Sequence, residues 1–141
     1  MKTFFDPDTA RLIVSKQGEA DLVTVNNLFA NIDDLHEFMN AVDILLDSDG
    51  VFVVESSYLY KMIQNMVFDF IYHEHSRYYS LRSLLFLFDQ FDMDIFDVER
   101  LPTHSGSIRV YACKKGAHPI SESVSSLLRE EEDFGLSRLD T

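Results

Sequence analysis

Residues 51–54 read VFVV, four apolar side chains with no polar break. A strand with one wet face alternates apolar and polar residues. An unbroken run is instead the pattern of a strand buried on both faces, as in a parallel sheet covered by crossover helices. The flanking sequence supplies the units such a sheet needs. DPDTARLIVSKQG predicts a helix, with Asp6 as cap, Pro7 at the first helical position and Gly18 as the stop. ADLVTVNN follows as a strand carrying Leu22, Val23 and Val25. An amphipathic helix near residues 33–46 aligns Leu35, Phe38, Met39, Val42, Leu45 and Leu46 on one stripe, and SDG is expected to end it before VFVV. Residues 58–66 read as helix. Ser80 caps another helix, whose apolar side is Leu81, Leu84, Leu85, Phe88 and Phe91. MDIFDVERLP and SIRVYACKK predict two consecutive strands, joined by the turn-rich THSG and paired antiparallel. A last helix spans about residues 121–134, with Val124, Leu127 and Leu128 facing inward. The expected class is α/β. Such sheets carry functional residues at the carboxyl ends of their strands. Asn26 and Asn27 end one strand, Glu55, Ser56 and Ser57 end the next, and residues 72–80 follow, so the three groups are expected to meet on one rim.

A chain of 141 residues fits one domain with one core. Its 24 acids and 12 bases give a net charge of −12, which repels a phosphate backbone and argues against nucleic acid as a partner. That balance does not exclude an anionic small molecule in a pocket of its own sign. The acidic run from Glu130 to Asp133 reads as the solvated face of the last helix. No apolar run is long enough to span a bilayer, and the first residues lack a signal-peptide layout. Cys113 is the one cysteine, so disulfides within the chain and thiolate zinc sites are excluded, and a cytoplasmic setting is expected. The five glycines include no two that lie one or two residues apart, which leaves no glycine-rich nucleotide loop.

The stretch YHEHSRYYS, residues 72–80, admits three readings. His73 and His75 could chelate a metal, but no spaced His or Cys supplies a third ligand nearby. Tyr72, Tyr78 and Tyr79 could be half-buried packing rings beside satisfied histidines. The third reading is acid–base chemistry: a histidine takes and returns a proton near neutrality, a carboxylate such as Glu74 orients it, and a tyrosine hydroxyl donates to a developing oxyanion. A second stretch, PTHSGSIRVY, sets Gly106 between two serines and offers Arg109 to a phosphate; the alternative is a plain turn into a strand.

Four segments, NNLFANIDDLHEF, LLDSDGVFVVE, FDFIYHEHSRYYSLRSLLFLF and FDVERLPTHSGSIRVYACKKG, in this order, resemble the S-adenosylmethionine-dependent C-methyltransferases of nucleotide-linked deoxysugars. The family pattern runs close to N-N-V-L-A-H-x-D-D, D-G-V-F-x-x-E, Y-H-E-H-x-x-Y-x-S and D-V-E-R-x-P-T-H-G-G-S-x-R-V-Y. The resemblance extends from about Phe4 into the last helix. It implies a partial Rossmann-like methyltransferase sheet of about four strands, mostly parallel with an antiparallel terminal strand, flanked by helices. It also implies methylation at C3 of a 4-keto sugar on a nucleoside diphosphate. In that chemistry a histidine base removes the proton beside the ketone, and the enolate attacks the sulfonium methyl group. The resemblance puts the base at His75, with Glu74 and Tyr72 in support. It puts sugar or nucleotide contacts at Asn27, Asn31, His104, Ser107 and Arg109, a cofactor contact at Asn26, and no metal. Asn31 stands where the family has a histidine, so that position still donates a hydrogen bond but cannot shuttle a proton. Ser105 replaces the first glycine of T-H-G-G-S.

The resemblance further implies that these residues correspond to the second half of the methyltransferase domain. The family's N-terminal zinc domain, its glycine-rich cofactor half and most of its C-terminal domain would then lie outside them. Little or no methyl transfer is expected from this chain alone. The strand near Leu22 to Asn26 is expected to become a sheet edge and to seek a partner, as a homodimer or with a complementing chain. Two functional readings follow: a C-methyltransferase component that needs a partner, and a non-catalytic α/β module that dimerises.

Overall fold

The structure, a computed structural model, describes residues 4–69, 71, 73–103 and 106–138. Its elements are α1 (Pro7–Gln17), β1 (Ala20–Asn26), a 3-10 turn (Phe29–Asn31), α2 (Leu35–Leu45), β2 (Leu46–Ser57), α3 (Leu59–Gln64), α4 (Leu81–Asp89), β3 (Met93–Leu101), β4 (Ser107–Lys114) and α5 (Glu122–Phe134). Helix ends follow local chemistry. The Asp6 carboxylate accepts from the Thr9 amide at 2.7 Å, and Gly18 turns the chain out of α1 at φ 85°. Ser80 and Ser83 cap α4 reciprocally, each side chain meeting the other's backbone amide.

The four strands lie in the order β1-β2-β4-β3. β1 runs parallel to β2, and β4 is antiparallel to both β2 and β3. Three strands therefore point one way. The last in the chain opposes them, inserted between β2 and β3 rather than added at an edge. One expectation needs correcting: SDG does not separate helix from strand. α2 passes directly into β2 at Leu46, which pairs with Ala20; the register then jumps, because Leu22 pairs with Val51. Residues 47–50 form the bulge that absorbs the jump. Asp47 accepts from the amide of Asp49 at 3.1 Å, which holds its carboxyl below the usual range. Any side chain at Gly50 would sit 2.8 Å from the Ala20 carbonyl, so glycine is needed there for close backbone approach.

The apolar core occupies one face of this sheet. Val25, Phe52, Val54, Ile95, Val98, Ile108, Val110 and Ala112 form that face, and they cluster with Phe38, Met39 and Val42 of α2, Leu84 and Phe88 of α4, and Val124 and Leu127 of α5. A smaller cluster ties α1 to α2 through Ala10, Ala41 and Leu45. Among the described residues, the alternate strand positions Leu22, Val51, Val53 and Tyr111 join neither cluster. β1 and β3 are the outer strands, and Leu22 of β1 is 59% exposed.

Candidate functional site

The carboxyl ends of β1 and β2 lie side by side, because Asn26 pairs with Glu55 in register. Asn27 then takes a left-handed conformation, φ 53°, and its amide donates to the Glu55 carbonyl at 2.9 Å. That bond turns the chain across the strand tips into the 3-10 turn that ends on Asn31. Asn26, Asn27 and Asn31 are all exposed on this rim.

The histidine stretch comes back to the same rim. Tyr58, one residue beyond β2, forms a parallel bridge with Tyr79, and the Leu59 amide donates to the Tyr79 carbonyl at 2.9 Å. Three side chains then tie this segment to the loop after β1. The Ser76 hydroxyl donates to the Ala30 carbonyl at 2.9 Å. The Arg77 guanidinium donates to the carbonyls of Ile32 at 2.5 Å and Asp33 at 3.1 Å. The Tyr79 hydroxyl donates to the Phe29 carbonyl at 3.2 Å. His75 immediately precedes these ties. It is half-buried, with its ring edge-on to Tyr78 at 6.2 Å, whereas His73 and Glu74 are exposed. Tyr72 and His104 lie outside the described residues. Among the described residues, no group of three or more His, Cys, Asp or Glu is placed to hold a metal ion.

Two buried phenols brace the rim. Burial pushes the Tyr79 hydroxyl up to about 12, against a smaller opposing pull from Arg77. The Tyr58 hydroxyl is pushed higher, first by burial and then by the carboxylate of Glu131, which accepts its proton at 2.8 Å. Both stay neutral at physiological pH and act as donors.

The turn before β4 is built from its own polar groups. The Gly106 amide donates to the Thr103 carbonyl at 2.9 Å, its carbonyl accepts from the Tyr58 amide at 3.1 Å, and the fully buried Ser107 donates its hydroxyl to Thr103 at 3.0 Å. Here the Gly106 amide closes the turn instead of opening toward a ligand. Gly106 sits at φ 125°, and a Cβ there would lie 2.6 Å from that of Lys61. Gly106→Ala is expected to cost about 1–3 kcal/mol, from a disfavoured backbone conformation and the clash with α3, read as a shift in the midpoint of urea unfolding.

Arg109 stands two positions further along β4, opposite Glu55 and Glu99 in register. Its guanidinium donates to Glu55 at 2.8 Å and 3.3 Å and lies 3.8 Å from Glu99. The Glu55 contact strengthens its hold on the proton. A phosphate would have to compete with these carboxylates for it. The structure thus gathers Asn26, Asn27, Asn31 and the His75 segment on one rim, sets Ser107 beneath it, and engages Arg109 in a cross-strand ion pair.

Sequence reasoning passed over Ser76 and Arg77, and it read Tyr79 only as a half-buried packing ring, whereas its hydroxyl also ties to the Phe29 carbonyl. Glu131 was expected on a solvated face, yet it is 2% exposed and accepts from Tyr58, Leu81 and Arg82. The available signal was its position seven residues beyond Val124 and four beyond Leu127, on the apolar stripe of α5.

A sheet of this order with a strand-tip rim belongs to the methyltransferase type of α/β fold, and solved structures bear this out. A SAM-dependent methyltransferase from Anabaena variabilis ATCC 29413 superposes with a TM-score of 0.56 at 13% identity, over 79% of this chain and 56% of that one. An O-methyltransferase family protein from Burkholderia thailandensis gives 0.54 at 13% identity, over 82% and 35%. At that identity the likeness shows the fold alone. The family model of the methyltransferase domain matches residues 2–98, and the chain belongs to that family. It is 39% identical over 134 residues to the C-methyltransferase NovU of Streptomyces niveus, covering 94% of this chain and 32% of NovU. The chain thus spans about a third of the length of this curated relative. Among the described residues, no helix is long and apolar enough to cross a membrane.

Proposed function

We propose that this chain forms the substrate side of a C-methyltransferase active site acting on a 4-keto nucleotide sugar, with His75 as the base that removes the proton beside the ketone. The observation that carries this reading is the tie between two separate motifs. The segment bearing His75 is hydrogen-bonded by Ser76, Arg77 and Tyr79 to the loop bearing Asn27 and Asn31, at the carboxyl ends of β1 and β2. The imidazole is half-buried beside that exposed rim, and a histidine side chain is suited to taking up and returning a substrate proton. Asn31 donates a hydrogen bond to the sugar, and Tyr72, Glu74 and His104 support the base or the substrate. Ser107 shapes the turn beneath the sugar, and Arg109 meets the diphosphate only by sharing it with Glu55. Removing the proton leaves a carbon nucleophile at C3.

S-adenosylmethionine, when bound, supplies an electrophilic methyl group. The described side chains do not make a full cradle for it. Asn26 offers one exposed amide at a strand tip, and no glycine pair lets a backbone approach a ligand. The family resemblance implies that the remaining contacts come from a glycine-rich half of the domain, in the same polypeptide or in a partner. Losing two or three charge-assisted bonds costs about 1.5–3 kcal/mol each, which weakens cofactor affinity by orders of magnitude. The exposed edge of β1 is where a further strand adds, from that half or from a second copy of the chain. The setting is cytoplasmic. The exposed edge and the engagement of Arg109 also favour a second reading, a dimerising module without catalysis.

The test is transfer of labelled methyl from S-adenosylmethionine to a thymidine diphosphate 4-keto-6-deoxy sugar, alongside sedimentation of the chain. The first reading expects little or no transfer by these residues alone, and a self-associating or partner-bound chain. Efficient turnover by a stable monomer overturns it.

A further inference from the structure

We infer that Arg77 is a positioning residue: its guanidinium, forked across two successive carbonyls, fixes where the Asn31 loop stands relative to the His75 imidazole. The inference rests on the proposed role of His75. Arg77 follows His75 by two residues, and Ile32 and Asp33 follow Asn31 directly. Two N–H groups on one Nη1–Nη2 edge meet the two carbonyls at 2.5 Å and 3.1 Å. Those carbonyls precede α2, whose first turn begins beyond the Asp34 cap, so the helix does not use them. Among the described residues, no carboxylate lies within ion-pair distance of Arg77. The side chain serves here as a rigid two-pronged donor rather than as half of a salt bridge. Only arginine presents donors in a planar fork of this kind; lysine is a single point charge on a flexible stem. Ser76 and Tyr79 bond to the same loop at Ala30 and Phe29, but each supplies one hydroxyl and neither reaches past the 3-10 turn. Among the described side-chain hydrogen bonds, those of Arg77 alone reach the carbonyls that follow Asn31, on a stretch where Ile32 also packs against the core.

The test compares wild-type chain with Arg77→Lys and with Arg11→Lys, an exposed arginine of α1, as control. The first readout is nuclear magnetic resonance of the His75 ring and the Asn31 side-chain amide, assigned with His75→Gln and Asn31→Asp. The expected result is that Arg77→Lys moves both signals together while the melting temperature stays within a few degrees, and that the control moves neither. Unmoved signals in Arg77→Lys overturn the inference, whether or not the chain turns over any sugar. The second readout is deuterium uptake at C3 of the 4-keto nucleotide sugar. Misplacing a reacting group by about 1 Å costs up to about 100-fold, so the rate at saturating sugar is expected to fall about 10–100-fold, with KM and the midpoint of the pH profile unchanged. A rise in KM alone, or a fall matched by lost melting temperature, contradicts a positioning role. Absence of uptake in wild type would sink the role of His75 and leave the resonance result to decide the geometry.

Discussion

Glu131→Ala is expected to lower unfolding free energy by about 3–5 kcal/mol, the range for breaking a buried charged cluster by removing one member. The carboxylate comes from α5, yet its partners lie on two other elements. Tyr58 at the tip of β2 and the Leu81 amide both donate to Oε1, at 2.8 Å and 2.6 Å, and the Arg82 amide donates to Oε2 at 3.1 Å. The two amides open α4, where exposed N–H groups and the helix dipole favour an anion. Alanine would strand a buried phenol and two helix amides together. Glu131→Gln keeps the shape but loses the charge, and turns an NH2 group toward an amide donor; its cost is expected to be intermediate, about 1–3 kcal/mol. The neighbouring Glu130→Ala is the contrast. Its ion pair with Arg100 is 44% exposed on both sides, so its loss is expected to cost under about 1 kcal/mol. Urea unfolding with an unchanged slope checks all three. Equal small effects at positions 130 and 131 would mean that Glu131 is solvated after all.

The error over Glu131 shows what the sequence could and could not disclose. Element types were legible because apolar spacing differs between helix and strand. The stripe on α2 is buried as its 3.6-residue period demands, and VFVV lies between two neighbouring strands. The transition at Leu46 was not legible, because SDG looks like a helix stop and only its pairing with Ala20 makes it a bulge. Charge patterning predicted four solvated acids, and no local rule shows that a helix N-terminus from 50 residues earlier would receive one of them. The site was legible as motifs but not as geometry. The stretch 72–80 offered His73 and His75 with packing, metal and acid–base readings all open, and only the family resemblance singled out His75. The hydrogen bonds that attach it to the Asn31 loop join residues 44 to 50 positions apart and run to backbone carbonyls, which no residue pattern encodes. Arg109 looked like a phosphate ligand because its partner Glu55 is 54 residues away.

His75→Gln is expected to remove about 100- to 10,000-fold of the proton-transfer rate, the usual contribution of a placed general base. Glutamine keeps much of the size and one acceptor but cannot carry a proton between substrate and water. The cleanest readout needs no methyl donor, because abstraction of the proton at C3 precedes any carbon–carbon bond. A thymidine diphosphate 4-keto-6-deoxy sugar at millimolar concentration is incubated with the chain in deuterated water, and deuterium at C3 is followed by nuclear magnetic resonance. Uptake well above that in buffer, lost in His75→Gln and kept in His73→Gln, is the expected result. Uptake no faster than in buffer, or the same with and without the imidazole at position 75, would contradict the assignment of this rim as the proton-abstracting side of a C-methyltransferase.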